Sequence, residues 1–225
     1  MDFVLLHGTT QTPAGWDRLV AVLERRGHRA RAVDFPVDRP GLLAADHAAV
    51  AAQAAVGLID PVVVAHSAAG VLLPAVARQV GARHLVWVGA VVPDFGGVSF
   101  SDQVARDSGT MFGAEWHEWT RPPEEVPVET AYFLFHDCDL ATLRWAMGTV
   151  RLFSPRAAFA EAPDAKAPEI PSTYVLPTAD RTLTPAWMAA AAGERLKTEP
   201  VEIDAGHCPH VSRPDELAAL LDRMG

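Results

Sequence analysis

The stretch Pro61-Val62-Val63-Val64-Ala65-His66-Ser67-Ala68-Ala69-Gly70 decides the fold. A dense valine run of this length reads as a strand buried on both faces, as in a parallel sheet. It runs into a serine, and residues 68–80 then carry a helical pattern that stops near Gly81. A strand that turns sharply into a helix at a serine lifts the hydroxyl above the sheet edge, and the positions two before and two after must be small. Ala65 and Ala69 meet that need. The helix N-terminus then faces the site and suits a developing anion. The plainer alternative is a serine that only caps a helix.

Outward from this point, apolar runs and helical stretches alternate. Residues 3–6, 29–35, 84–92, 173–177 and 200–203 read as further strands, and 15–26, 42–58, 185–196 and 213–224 as helices. Such alternation builds a parallel sheet with helices on both faces, joined by right-handed crossovers. Residues 93–168 break the rhythm. They hold Trp116, Trp119, Trp145 and most of the phenylalanines, and they are too long and too aromatic for a loop. The fold class is therefore α/β, with about six mostly parallel strands and a helical cap inserted after the fourth. The core is expected over 1–93 and 169–225, the cap over 94–168.

Composition excludes several function classes. The 225 residues carry a net charge of -9, and the basic residues do not cluster. That disfavours nucleic acid and anionic membrane as partners, since both call for basic patches. Two cysteines are too few for a disulfide framework, and they lack zinc or redox spacing. The start, Met1 to Gly8, reads as a buried strand and not as a signal peptide. No apolar run is long enough to span a membrane. A soluble cytoplasmic protein acting on a small molecule is expected. Residues His207 and His210 are three apart but have Pro209 between them, and no glycine-rich phosphate loop is present. Neither a metal nor a cofactor is expected.

A serine nucleophile needs a base, and His207 follows the last strand in Asp204-Ala205-Gly206-His207-Cys208-Pro209-His210. The nearby rival is His210. An acid that orients the base belongs at the end of the preceding strand, where Tyr174-Val175-Leu176-Pro177-Thr178-Ala179-Asp180 places Asp180. Asp94 is the runner-up, and Asp204 is expected to lie inside the strand. Two backbone donors should meet the oxyanion. The amide of Ala68 follows the serine, and the amide of Thr9 follows His7-Gly8 at the end of the first strand. In the cap, Phe112, Trp116, Trp119, Phe133, Phe135 and Trp145 are candidates to line an apolar pocket, with about half expected only to hold the cap in place. His117 and His136 are possible polar anchors.

Together these residues resemble the α/β-hydrolase family, and within it the small branch of plant hydroxynitrile lyases, plant methylesterases and short bacterial esterases. The likeness covers Phe3 to Gly8, Gly15-Trp16, Gly27-His28, Asp34-Phe35-Pro36, Ala65-His66-Ser67, Pro93-Asp94, Asp180 and Gly206-His207. The cap segment Tyr132-Phe133-Leu134-Phe135-His136-Asp137-Cys138 is similar to a stretch in bacterial members. The resemblance implies Ser67 as nucleophile, His207 as base, Asp180 as acid, and Thr9 and Ala68 as oxyanion donors. Lyase members carry a threonine after the strand-end histidine and a lysine after the catalytic one, where this chain has Gly8 and Cys208. An esterase for a small to medium apolar ester is therefore implied over a hydroxynitrile lyase. The alternatives are a lyase, cyclase or acyl-eliminating enzyme of a secondary-metabolite pathway, and a binding module that has lost turnover.

Overall fold

The computed structural model describes residues 1–119, 127–164 and 166–224, and the side chains of Trp119 and Pro127 lie outside those described. Its centre is one six-stranded parallel sheet: β1 (Asp2–Leu6), β2 (Arg29–Ala32), β3 (Val62–His66), β4 (His84–Val88), β5 (Ser172–Pro177) and β6 (Val201–Ile203). The order across the sheet is β2-β1-β3-β4-β5-β6. In register, Val63 sits between Val4 of β1 and Leu85 of β4. The chain leaves β1 toward one edge and leaves β3 toward the other. The crevice at the carboxyl ends of β1 and β3 is thus the switch point where open α/β sheets place their ligands.

Alternation along the strands divides the core. Val4, Leu6, Val63, Ala65, Leu85, Trp87, Tyr174 and Leu176 face one side. They pack there against α2 (Ala44–Ala54), α3 (Leu73–Val80) and α9 (Pro185–Ala191). Phe3, Leu5, Val62, Val64, Val86, Val88, Val175 and Ile203 face the other side, covered by α1 (Asp17–Arg25) and α11 (Pro214–Leu221). A period of two places successive side chains on opposite faces, and both faces here are apolar, as a fully covered parallel sheet requires.

All six expected strands are present, but two stop early. After β2 the Val33 amide still bonds the Leu5 carbonyl at 2.9 Å, and Asp34 then turns out to meet Arg151. β4 ends where Gly89 takes φ 48°, a left-handed bend with Pro177 packed against its Cα. The expected helix over 68–80 opens as a 3-10 turn (Ser67–Val71) before α3 begins.

Between β4 and β5 lie α4 (Phe100–Met111), α5 (Ala114–Trp119), α6 (Pro127–Leu134), α7 (Leu140–Met147) and α8 (Arg156–Ala160). Ser99 and Asp139 cap α4 and α7 through the amides of Asp102 and Thr142. Apolar side chains of this stretch join two clusters of the sheet domain. Met111, Phe153 and Ala158 join the main core. Leu134, Phe135 and Ala146 pack with Cys208 and Val211, the latter on α10 (Pro209–Ser212).

Among the described glycines, Gly70 has the least room for a side chain. A Cβ there would lie 2.0 Å from the Val91 carbonyl oxygen. Gly70→Ala is expected to lower unfolding stability by about 2 kcal/mol or more through overpacking. Urea denaturation followed by circular dichroism checks this, and an unchanged midpoint contradicts it.

Candidate active site

The turn after β3 is built around an unusual backbone. Ser67 has φ 56°, one of three non-glycine residues described with positive φ. The left-handed region is unfavourable for a residue with a Cβ, and such outliers persist only where the surroundings over-determine them. Here the Val91 amide donates to the Ser67 carbonyl at 3.0 Å. Gly8 passes so close that an added Cβ would stand 2.9 Å from the Ser67 Cβ. A hydroxyl at this turn projects at the end of β3, beside the switch point.

His207 comes from the loop between β6 and α10, and its Nε2 lies 3.0 Å from the Ser67 Oγ. Its Nδ1–H donates to Asp180 Oδ2 at 2.7 Å. That bond selects the tautomer with its lone pair at Nε2, facing the serine hydroxyl. Asp180 follows β5, with its side chain fully buried. Its other oxygen, Oδ1, accepts from the amides of Thr182 at 2.7 Å and Leu183 at 3.0 Å. The carboxylate thus has three donors in place of lost water, which is how a buried charge is tolerated.

The alternatives are engaged elsewhere. Asp94 meets the Gly96 amide and Arg106. Asp204 lies just past β6 and is exposed, not within the strand as expected, because β6 stops at Ile203. His210 is buried against Trp16, with ring centroids 4.2 Å apart, and its Nε2–H donates to Gln11 Oε1 at 3.2 Å. Thr9 and Ala68 each follow one member of the Gly8–Ser67 contact. The Thr9 carbonyl accepts from the Phe153 amide at 2.5 Å, which fastens this loop to the β4–β5 insertion.

Around the three residues lies a layer of buried histidines that spacing did not reveal. His7 donates from Nδ1 to the Gly8 carbonyl and packs edge-on against the stacked rings of Phe35 and Phe153. Desolvation lowers its pKa to about 4. His47, expected on a polar helix stretch, is instead buried beside the same two phenylalanines. His66 donates from Nε2 to the carbonyl of His207 at 2.8 Å, so the residue before Ser67 holds the backbone of His207. Among the described residues, His66, Cys208 and His210 are the one set of potential metal ligands, with their ligand atoms within 4.8 Å of one another. The His66 Nε2 is already bonded to a carbonyl, and burial pushes the Cys208 thiol well up and keeps it protonated. His66 packs against the rings of both His207 and His210.

The expected pocket residues divide. Phe112 stacks on Trp116 at 5.5 Å, and Trp116 meets Phe133 edge-on at 5.0 Å. Phe112 also bridges to Leu183, so this group borders the Asp180 loop. Phe135 is buried in the small cluster with Cys208, and Trp145 packs against that cluster with Arg18 over its ring. His117 donates to the Ser108 carbonyl, and His136 donates to the Ala179 carbonyl at 2.9 Å. The side chain of Trp119 lies outside the described residues.

A parallel sheet that brings serine, acid and histidine together at its strand ends, in that chain order, defines the α/β-hydrolase class. The model of the alpha/beta hydrolase family matches residues 3–220, and the chain belongs to that family. It is an enzyme of the hydrolase type. No curated protein sequence matches it. Among solved structures it is similar to polyneuridine aldehyde esterase (TM-score 0.80, 20% identity, covering 100% of this chain and 99% of that one). It is similar also to a pyrethroid hydrolase from Sphingobium faniae (TM-score 0.78, 20% identity, 100% and 96%). A methylesterase from Arabidopsis is a third (TM-score 0.75, 17% identity, 100% and 98%). At these identities the likeness concerns the fold. No helix among the described residues is long and apolar enough to cross a membrane.

Acid should weaken this layer. Desolvation lowers His7 to about 4 and His210 to about 3, both beneath the ordinary 6.5. In this case the unfolded chain takes up protons first, so the stabilisation is full above 6.5 and is lost as pH falls toward the folded values. Between about pH 7.5 and about pH 5 each of the two is expected to remove on the order of 2 kcal/mol. Urea unfolding at both pH values measures it, and equal stability contradicts the burial of neutral rings.

Proposed function

We propose that the chain is a serine carboxylesterase acting on small to medium apolar esters. The observation that carries this is the unbroken line from Ser67 Oγ to His207 Nε2 at 3.0 Å and from His207 Nδ1 to Asp180 Oδ2 at 2.7 Å. Ser67 attacks the ester carbonyl while His207 takes its proton at Nε2. Asp180 keeps the ring oriented and stabilises its positive form. The Thr9 and Ala68 amides receive the oxyanion. His207 returns the proton to the leaving alcohol, and water then releases the acid by the same steps reversed in role.

The substrate class rests on the aromatic group of Phe112, Trp116 and Phe133 beside the Asp180 loop. Residues 94–168 serve as the cap that carries it. Two of the similar structures are named as esterases, which agrees with this activity. A lyase that expels an anion needs a cation next to the base. The neighbour here is Cys208, a buried neutral thiol, and that favours hydrolysis. The chemistry uses no metal or cofactor.

Ser67→Ala is expected to cut turnover of short aryl esters by about 10³ or more, and Asp180→Asn by about 10³ to 10⁴, with circular dichroism unchanged. Undiminished turnover by Ser67→Ala contradicts the proposal.

A further inference from the structure

The segment His136-Asp137 lies just after α6, outside the sheet, yet it touches both loops that bear the acid and the base. Asp137 Oδ2 accepts from the Gly206 amide at 2.8 Å. The His136 Nε2–H donates to the Ala179 carbonyl at 2.9 Å. Gly206 immediately precedes His207, and Ala179 immediately precedes Asp180. The two loops also bond to each other, through the Ala179 amide to the Ala205 carbonyl at 3.0 Å. Each loop is therefore gripped one residue before its functional side chain, by neighbours on one short segment.

The fit is close. A Cβ on Gly206 would stand 2.7 Å from Asp137 Oδ1 and 2.9 Å from His136 Nε2. Only glycine lets the loop come that near. Asp137 Oδ1 is itself buried and has no hydrogen-bond partner among the described residues. A carboxylate oxygen placed so has a desolvation cost, and the bond made by Oδ2 must outweigh it. The adjoining Phe135 and Cys138 anchor the segment, since both pack in the cluster with Cys208 and Val211. The clamp thus has a fixed base on its own side.

We propose that His136 and Asp137 are positioning residues that set the distance between His207 and Asp180, and through His207 the reach of Nε2 to Ser67. This rests on the esterase reading of the same site. It assigns His136 a role other than polar anchor for substrate. Sub-ångström placement matters because misplacing a reacting group by about 1 Å costs roughly 10²-fold in rate.

The test uses the full chain and a small fluorophosphonate that phosphonylates serine. Labelling of wild type and its loss in Ser67→Ala report on the esterase reading alone. Given labelling, Asp137→Ala is expected to slow phosphonylation about tenfold or more and to lower kcat alike, with KM within about twofold. Asp137→Asn keeps an oxygen acceptor for the Gly206 amide and should stay within about threefold of wild type. His136→Ala should slow labelling and His136→Gln, which keeps a donor, should restore it. If Asp137→Ala does not fold, the His136 pair decides by the same thresholds. The proposal is overturned if the folded alanine variants label at the wild-type rate. It is overturned equally if the conservative variants are as slow as the alanines, or if the loss appears in KM and not in kcat.

Discussion

The left-handed backbone of Ser67 is the constraint on which the rest of the structure depends. A φ of 56° at a residue with a Cβ costs about 1–3 kcal/mol. The strain persists because the surroundings leave no easier path. β3 is held on both sides, by β1 and β4, and cannot shift its register. The Val91 amide fixes the Ser67 carbonyl, and Gly8 and Gly70 clear the space that side chains would fill. The reward is positional. The hydroxyl stands at the end of a central strand, at the switch point, with the start of a helix behind it.

A second set of bonds then brings His207 to that hydroxyl. Asp180 and His207 sit on loops that follow adjacent strands, β5 and β6, so pairing of those strands already places them near each other. Backbone bonds from Thr178 and Ala179 to Ile203 and Ala205 carry the pairing past the strand ends. His66 donates to the His207 carbonyl, which ties His207 to the residue before the serine. The buried Asp180 side chain is matched by three donors, one of them the His207 ring, and this fixes how the imidazole is turned. Neutral, desolvated histidines fill the space beneath.

The strands and their order of function were legible because each depends on neighbours in the chain. The Val62–Val64 run, the short apolar stretch at 173–177 and the alanines around Ser67 are local signals, and they lead straight to the sheet and to the turn. Asp180 and His207 could be singled out as candidates because strand ends are legible, and the structure places their side chains in contact. What was not legible depends on distant partners. Asp137 meets Gly206 across 69 residues, and His66 meets His207 across 141. Nothing near His47 in the chain announces that Phe35 and Phe153 will close around it. The bend at Gly89 ended β4 four residues sooner than its apolar run implied, because a glycine in an apolar stretch reads as tolerated until its φ is known.

The central claim is that this turn makes Ser67 a nucleophile. The most direct measurement is peptide mass spectrometry after treatment with a fluorophosphonate at neutral pH. The account predicts one adduct per chain, on the peptide bearing Ser67, and none when His207 is replaced by alanine. A chain that stays unlabelled while folded, or that carries its adduct on another residue, contradicts it.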